Sequence, residues 1–185
     1  MINPVLTVFS YPDSKAVECT LAGPEGKVMT SQGIYVDTQI SYKEAHENLD
    51  NYDIVVVLGG NSDEICKRKD TEEPLNLIKA YVDLQEKDNT RERTLFSVCT
   101  GSLLLARLDV LVGLAATTHP HQLTKFENLC SEAAQRGLED RTDVMDDARY
   151  VVNNLRFDVG EEGDENPYIR RGSVNESGRR SSNAR

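Results

Sequence analysis

Residues 97 to 102, SVCTGS, place a cysteine, a glycine and three hydroxyl side chains between two apolar segments. The segment that ends at Val98 is typical of a buried strand, and the apolar residues after Gly101 predict a helix. Cys99 therefore falls on the tight turn between them, which is the arrangement of a nucleophile elbow. The unpaired N–H groups and the dipole at the start of a helix favour a thiolate. The sequence thus predicts a nucleophilic Cys99, and the alternative is a buried structural cysteine at a strand end.

A glycine pair, Gly59 and Gly60, follows the apolar run 54–58 in the sequence YDIVVVLGG. Glycines there allow the backbone to approach a bound group closely. The N–H groups of Gly60 and Thr100 are candidates for an oxyanion hole, and a glycine pair that merely ends a strand is the alternative. The hydroxyls of Thr100 and Ser102 are expected to cap the helix after Cys99. A dinucleotide or P-loop site is excluded because neither G-x-G-x-x-G nor G-K-[ST] occurs.

Two histidines, His119 and His121, follow a short predicted strand in the sequence ATTHPHQL. If that strand is parallel to the strand before Cys99, His119 comes to the same end of the sheet as the thiol. A histidine there acts as a general base or orients the thiolate. His121 is a rival candidate, and a solvated loop histidine is the alternative for both. His46 lies in a charged helical turn and is expected at the surface.

The chain has four cysteines and no C-x-x-C pair. Its length is not that of a small secreted protein, so free thiols are expected rather than disulfides. Cys130 lies on the apolar face of a predicted helix and is expected in the core. Cys66, in the charged segment DEICKRKD, is expected to be exposed or half-buried. The ligand spacings of zinc sites are missing, so neither a metal nor a cofactor is predicted.

Strands and helices alternate along the first 158 residues, which form one predicted domain. The alternation predicts βαβ units and an α/β fold with a mostly parallel sheet. Strands are predicted within residues 4–12, 16–23, 31–42, 52–60, 93–98, 114–120 and 148–157. Helices are predicted within residues 41–49, 74–84, 100–108 and 122–137.

The composition limits the classes of partner. The 185 residues carry a net charge of −10, which argues against nucleic-acid binding because phosphate contacts need clustered cations. No apolar run is long enough to span a membrane, and no signal peptide is recognisable, so a cytoplasmic protein is expected. Residues 159–185 contain few large apolar side chains and are predicted to be a disordered tail.

The segment SVCTGSLLLARLDVLVGLAATTHP closely resembles the nucleophile-elbow region of the ThiJ/PfpI superfamily. Its pieces SVCTG and ATTH are most similar to the isonitrile-hydratase-like branch. VVVLGG is similar to the glycine pair that precedes the elbow in that family, and TSQGIYV is similar to a short ribbon upstream. The resemblance extends over residues 5 to 156.

The resemblance implies a flavodoxin-like three-layer sandwich in a protein that usually forms a homodimer. It implies that Cys99 is the nucleophile and that Thr100 assists it through its N–H and hydroxyl. It also implies that Gly60 is the other oxyanion donor and that His119 is the histidine near the cysteine. Hydratase-like members add water to an isonitrile carbon without a cofactor, which gives an N-substituted formamide. Other branches handle methylglyoxal, repair glycated side chains or sense oxidants.

The chain departs from the family pattern at both ends, so an incomplete, truncated form of the fold is expected. The carboxylate that usually contacts the cysteine has no counterpart here, because Asp13 lies in a different place. The later G-G-x-x-[AS]-G strand and helix are also missing. The sequence therefore predicts a cysteine-nucleophile hydratase or lyase that acts on a small electrophile such as an isonitrile. A non-catalytic or redox-sensing protein and a glyoxalase or deglycase activity are the alternatives.

Overall fold

The structure is a computed structural model that describes residues 5–8, 18–24, 26–30, 33–60, 62–88, 90, 91, 93–137, 141–155, 173 and 174. Its strands are β1 Val5–Val8, β2 Cys19–Gly23, β3 Lys27–Met29, β4 Tyr35–Asp37, β5 Ile40–Ser41, β6 Ile54–Val57, β7 Thr94–Ser97, β8 Ala115–Ala116, β9 Asp143–Val144, β10 Asn154–Leu155 and β11 Ser173–Val174. Its helices are α1 Tyr42–Glu47, α2 Ser62–Cys66, α3 Leu75–Lys87, α4 Gly101–Arg107 and α5 Leu123–Gly137, with 3-10 turns at Leu49–Asn51 and Pro120–Gln122.

The central sheet has five strands in the order β5-β2-β1-β6-β7. Strand β1 is antiparallel to both of its neighbours, whereas β2 pairs with β5 and β6 pairs with β7 in parallel. Four strands therefore point in one direction and only β1 is reversed, which confirms the predicted mostly parallel sheet. Because β6 and β7 are parallel neighbours, the residues after Val57 and after Ser97 meet at one edge of the sheet.

Helices cover the sheet where apolar residues recur at helical spacing. Helix α1 begins with the predicted capping box, in which Ser41 and Glu44 exchange hydrogen bonds with each other's backbone N–H groups. Helix α3 packs against β6, and α4 packs against β7, α2 and α5. The core they form is built from aliphatic side chains with few aromatics, the largest of the fully buried ones being Tyr81, Phe126, Ile65, Leu75, Leu77, Ile78, Leu103 and Leu104.

Three small sheets lie beside the central one. Strands β3 and β4 form an antiparallel ribbon, of which the sequence predicts only β4, and β8 pairs in parallel with β9. The predicted last strand, 148–157, is wrong over 148–153, where no strand forms. The physical reason is that the Asn153 carboxamide bonds both the N–H and the C=O of Ala115, so a side chain takes the place of a backbone partner. Of the described residues in this range, Asn154–Leu155 form a strand, which pairs with Ser173–Val174.

The expectation of a surface position for His46 is corrected by its contacts. Its side chain is half-buried, and Nε2 makes a 2.7 Å hydrogen bond with Oε1 of Glu73, which precedes α3. The other carboxylate oxygen of Glu73 accepts the N–H of Leu77, so the pair ties α1 to the first turn of α3. Within the described ranges, no helix is both long and apolar enough to cross a membrane.

Candidate active site

Cys99 stands on a strained turn between β7 and α4. Its φ is +57°, in the left-handed region that side chains other than glycine rarely adopt. The turn is closed by a 3.0 Å hydrogen bond from the Gly101 N–H to the Val98 carbonyl, and Val98 itself still donates to Val57 of β6 at 2.9 Å. The strand therefore holds its register up to the residue before the cysteine. The Cys99 side chain is exposed, as a nucleophile elbow requires.

Two glycines allow the turn to lie against the end of β6. A Cβ on Gly101 would overlap the carbonyl oxygen of Val57 and lie 3.0 Å from its carbonyl carbon. A Cβ on Gly59 would lie 2.7 Å from the Thr100 nitrogen and 2.8 Å from the Val98 oxygen. Both neighbours are backbone atoms, which cannot rotate away. Gly101 relieves crowding in the turn, as the sequence predicts, whereas Gly59 approaches the backbone of the elbow rather than a bound group.

The Thr100 hydroxyl has a different role from the predicted helix cap. It makes no capping hydrogen bond to α4, and instead accepts the Gly60 N–H at 2.9 Å and the Ser62 hydroxyl at 2.9 Å. The Ser62 hydroxyl also lies 2.9 Å from the Thr100 carbonyl, which places Thr100 in a buried polar cluster behind the elbow. Because this cluster occupies the Gly60 N–H, an oxyanion hole at Gly60 would need that hydrogen bond to open, and the role stays a prediction.

The Cys99 carbonyl is held by two hydroxyls. The Ser102 hydroxyl donates to it at 3.1 Å, which replaces the cap that the sequence predicts for Ser102. The Thr118 hydroxyl donates to the same oxygen at 3.3 Å. The second bond joins the loop after β8 to the elbow, and so it brings the neighbouring His119 to the side of the sheet where Cys99 stands.

The structure distinguishes between the two candidate histidines. Both are exposed, but His119 lines the same cavity as Cys99, whereas His121 lies outside the lining. The His121 N–H donates to Nδ1 of His119 at 3.3 Å. The two rings meet edge to face with centroids 5.1 Å apart. Of the two, His119 is the one that can contact a group bound in the cavity.

The cavity beside Cys99 has a volume of about 680 Å³. Its walls are mainly apolar, and Arg149 is the only Lys, Arg, Asp or Glu among the described residues that line it. Cys99, Thr118 and His119 share one end of the cavity, because Thr118 bonds the Cys99 carbonyl. The remaining walls come from β7, α4, the segment 110–116 and the segment 149–153. An apolar molecule of small to moderate size fits a space of this kind.

The other cysteines lie in environments that disfavour a thiolate. Burial raises the pKa of the Cys66 and Cys130 thiols, and Cys130 is fully buried, as the sequence predicts. Cys66 is half-buried, which is also as predicted. Cys19 is exposed at the start of β2, and desolvation raises the pKa of its thiol as well. All four cysteines are free in the structure.

No described carboxylate makes a hydrogen bond with the Cys99 thiol, and Asp13 lies outside the described residues. Within the described ranges, no group of three or more His, Cys, Asp and Glu side chains is arranged to hold a metal ion.

The sequence does not single out Ser62 or Thr118. Thr118 could be found from its position next to His119, but nothing local marks Ser62, which is far from Thr100 along the chain.

Comparison with known proteins gives one result at the level of family. The family model described as the DJ-1/PfpI family matches residues 6–154, which include the elbow, the glycine pair and both candidate histidines. The flavodoxin-like α/β arrangement of that family agrees with the sheet and helices described above, and it confirms the predicted fold class. No curated protein matches the chain.

Proposed function

This chain belongs to the DJ-1/PfpI family, and from that premise we propose that it is a cysteine-nucleophile enzyme that hydrates a small isonitrile. The observation that carries the proposal is the position of Cys99. Its exposed thiol stands on a left-handed turn at the start of α4 and lines a cavity that it shares with His119. Strain of this kind persists only where the surrounding structure enforces it, and it concentrates at functional sites.

The proposed reaction has two stages, and Cys99 is regenerated at the end. In the first stage the thiol proton of Cys99 passes to the His119 ring, the sulfur bonds to the terminal carbon of the isonitrile, and that carbon takes a proton from the charged ring, which becomes neutral again. The product is a thioimidate, in which carbon is single-bonded to sulfur and double-bonded to nitrogen. A thiolate is the reactive form of cysteine.

In the second stage water adds to the thioimidate carbon, and His119 accepts a proton from that water. His119 passes that proton to the nitrogen and then takes the remaining O–H proton as the carbonyl forms. The carbon–sulfur bond breaks, and the sulfur leaves as the thiolate beside the protonated His119, which returns the proton to it. The sum is one isonitrile and one water converted to one N-substituted formamide, with no change in oxidation state of the protein. Neither stage needs a metal or a cofactor. The apolar walls of the cavity suit the hydrocarbon substituent on the isonitrile nitrogen.

Formation of the formamide from a simple alkyl isonitrile tests the proposal. Product is measured by chromatography for the unchanged protein and for Cys99→Ser and Cys130→Ser. We expect turnover that Cys99→Ser lowers by at least ~100-fold, because a serine hydroxyl is not ionised at neutral pH. Cys130→Ser is the matched control, since Cys130 lies outside the cavity lining. Undiminished turnover in Cys99→Ser, or no turnover in the unchanged protein, would overturn the proposal.

A second candidate function is a redox response of the same thiol. It is favoured by the exposure of Cys99 and by the lack of a described carboxylate that hydrogen-bonds its sulfur. An accessible thiolate is oxidised reversibly to a sulfenic acid, whereas buried thiols resist oxidation. Peptide mass spectrometry after mild peroxide treatment tests this function. Selective oxidation of Cys99 with no isonitrile turnover would support it, and equal oxidation of all four cysteines would contradict it.

A further inference from the structure

The loop that carries His119 is not held against the Cys99 elbow by strand pairing. Within the described ranges, β8 pairs with β9 alone, while β7 belongs to the central sheet, and both β7 and β8 line the cavity. The fixed register that hydrogen-bonded neighbouring strands share therefore does not extend from Cys99 to His119. Another contact has to fix the distance between these two side chains.

A hydrogen bond from a side chain makes this connection. The hydroxyl of Thr118, the residue before the histidine, donates to the Cys99 carbonyl at 3.3 Å. Among the described residues, no other hydrogen bond joins the segment 114–122 to the elbow residues 97–102. Beyond His119 the chain is held again, because α5 packs against α4. The Thr118 bond is thus the direct polar link between the histidine loop and the elbow.

The imidazole ring of His119 is itself tied to its loop. Nδ1 accepts the His121 N–H at 3.3 Å, so the backbone of the 3-10 turn Pro120–Gln122 sets how the ring is turned. A shift of the loop therefore carries the ring with it. Two hydrogen bonds in series, at His121 and at Thr118, connect the ring to the residue that bears the thiol.

Two nearby hydroxyls make similar bonds without joining the histidine loop to the elbow. The Ser102 hydroxyl donates to the same Cys99 carbonyl at 3.1 Å, but Ser102 belongs to α4, so this bond stays within the elbow. The Thr117 hydroxyl leaves the same loop as Thr118, but it donates to the Ala148 carbonyl at 3.2 Å. Thr118 differs from both because its bond begins in the histidine loop and ends on the elbow.

We propose that Thr118 is a positioning residue that holds the His119 ring within reach of the Cys99 thiol. The inference rests on the proposed function, in which these two groups exchange a proton. Such a transfer needs heavy atoms within about 3.2 Å of each other, or one bridging water. Misplacing a reacting group by about 1 Å can slow a reaction about 100-fold, and one hydrogen bond controls a smaller part of that factor. Loss of the Thr118 hydroxyl should therefore slow the reaction roughly tenfold.

Steady-state turnover of a simple alkyl isonitrile is the first readout. Thr118→Val replaces the hydroxyl by a methyl group of similar size, whereas Thr118→Ser keeps the hydroxyl. We expect Thr118→Val to lower kcat roughly tenfold and to change KM less than about twofold, because the bond orients His119 and does not bind substrate. Thr118→Ser should restore kcat to within about threefold of the unchanged protein.

A double-mutant cycle with His119 separates positioning from a general structural role. In the His119→Gln protein, Thr118→Val should lower kcat no further, because the group that Thr118 positions is gone. Ser102→Ala is the matched control, since it removes a hydrogen bond to the same Cys99 carbonyl. It should change kcat by the same factor with His119 present or replaced, because its bond does not lead to the histidine.

Alkylation of Cys99 separates this inference from the hydratase function. Iodoacetamide reacts with the thiolate, and peptide mass spectrometry gives the rate at Cys99 at pH 7 with no isonitrile present. Thr118→Val should slow this alkylation roughly three- to tenfold when His119 is present, and should have no effect in His119→Gln. That pattern in a protein without isonitrile turnover would support the positioning role while the hydratase function fails.

Three results would overturn the role of Thr118. The first is a set of rates for Thr118→Val that stay within about twofold of the unchanged protein in both assays. The second is a loss of the same size with His119 present or replaced, which includes the case in which His119→Gln alters neither rate. The third is a Thr118→Ser variant as slow as Thr118→Val. Thr118→Ala removes the same hydroxyl, and it takes the place of valine in every comparison if Thr118→Val does not fold.

Discussion

The left-handed turn at Cys99 predicts an unusual order of stability for two substitutions. Holding a residue with a Cβ at φ +57° costs roughly 1–2 kcal/mol, and glycine avoids this cost. Glycine in turn costs about 0.4–1 kcal/mol of stability, because the unfolded chain has more conformational freedom at a glycine and loses it on folding. The difference leaves Cys99→Gly about 0.5–1 kcal/mol more stable than Cys99→Ala. For a chain of this size, that corresponds to roughly 1–4 °C in Tm.

The assay is urea unfolding of both variants under identical conditions. A shift in the midpoint at constant slope reports a change in stability alone. Ser97 supplies the control, because it lies on strand β7, where glycine has no conformational advantage. Ser97→Gly should be less stable than Ser97→Ala by about 0.5–1 kcal/mol, the opposite order. If Cys99→Gly were less stable than Cys99→Ala by a similar amount, Cys99 would not occupy a strained elbow and the reasoning would be refuted.

Three other predictions follow from packing and ionisation. Gly101→Ala should lower the free energy of unfolding by about 1–3 kcal/mol, since its Cβ would overlap the Val57 carbonyl, and an unchanged urea midpoint would contradict this. Burial raises the pKa of Tyr81, whose hydroxyl donates to a backbone carbonyl at 2.9 Å, whereas an unfolded tyrosine ionises near pH 10. The contribution of Tyr81 to stability should therefore be complete below about pH 9 and be lost above about pH 10, so Tyr81→Phe should reduce the fall in stability there; an equal fall in both proteins would count against it. Burial raises the pKa of Cys66 and Cys130. Iodoacetamide at pH 8 should therefore label both thiols more slowly in the folded protein than in the urea-unfolded protein. Equal labelling rates would disprove this prediction.

The elbow could be predicted from sequence because its signals are local. The end of an apolar strand, the cysteine and Gly101 lie within a few residues of one another, and each constrains the backbone at that point. The capping box of α1 and the buried position of Cys130 follow from local spacing in the same way. Parallel pairing of β6 and β7 then follows from their apolar sequences and the helix between them.

Contacts between distant residues were beyond the reach of local patterns. Thr100 was expected to cap α4, but its hydroxyl bonds Gly60 and Ser62 near the end of the neighbouring strand. The alternation of 148–153 resembles a strand, yet a carboxamide from Asn153 competes for the same backbone groups. In both cases a polar side chain forms a hydrogen bond with a group that is distant in sequence but close in the folded structure. The spacing of residues along the chain does not reveal such a hydrogen bond.

The site of covalent attachment during reaction with an isonitrile tests the central claim most directly. The protein is mixed with a simple alkyl isonitrile, quenched in acid within milliseconds to seconds, digested and mapped by mass spectrometry. The account predicts an added mass equal to one isonitrile on the peptide that contains Cys99, rising and then decaying as formamide forms. Formamide production with the adduct on Cys19, Cys66 or Cys130, or with no adduct and undiminished turnover in Cys99→Ala, would contradict it.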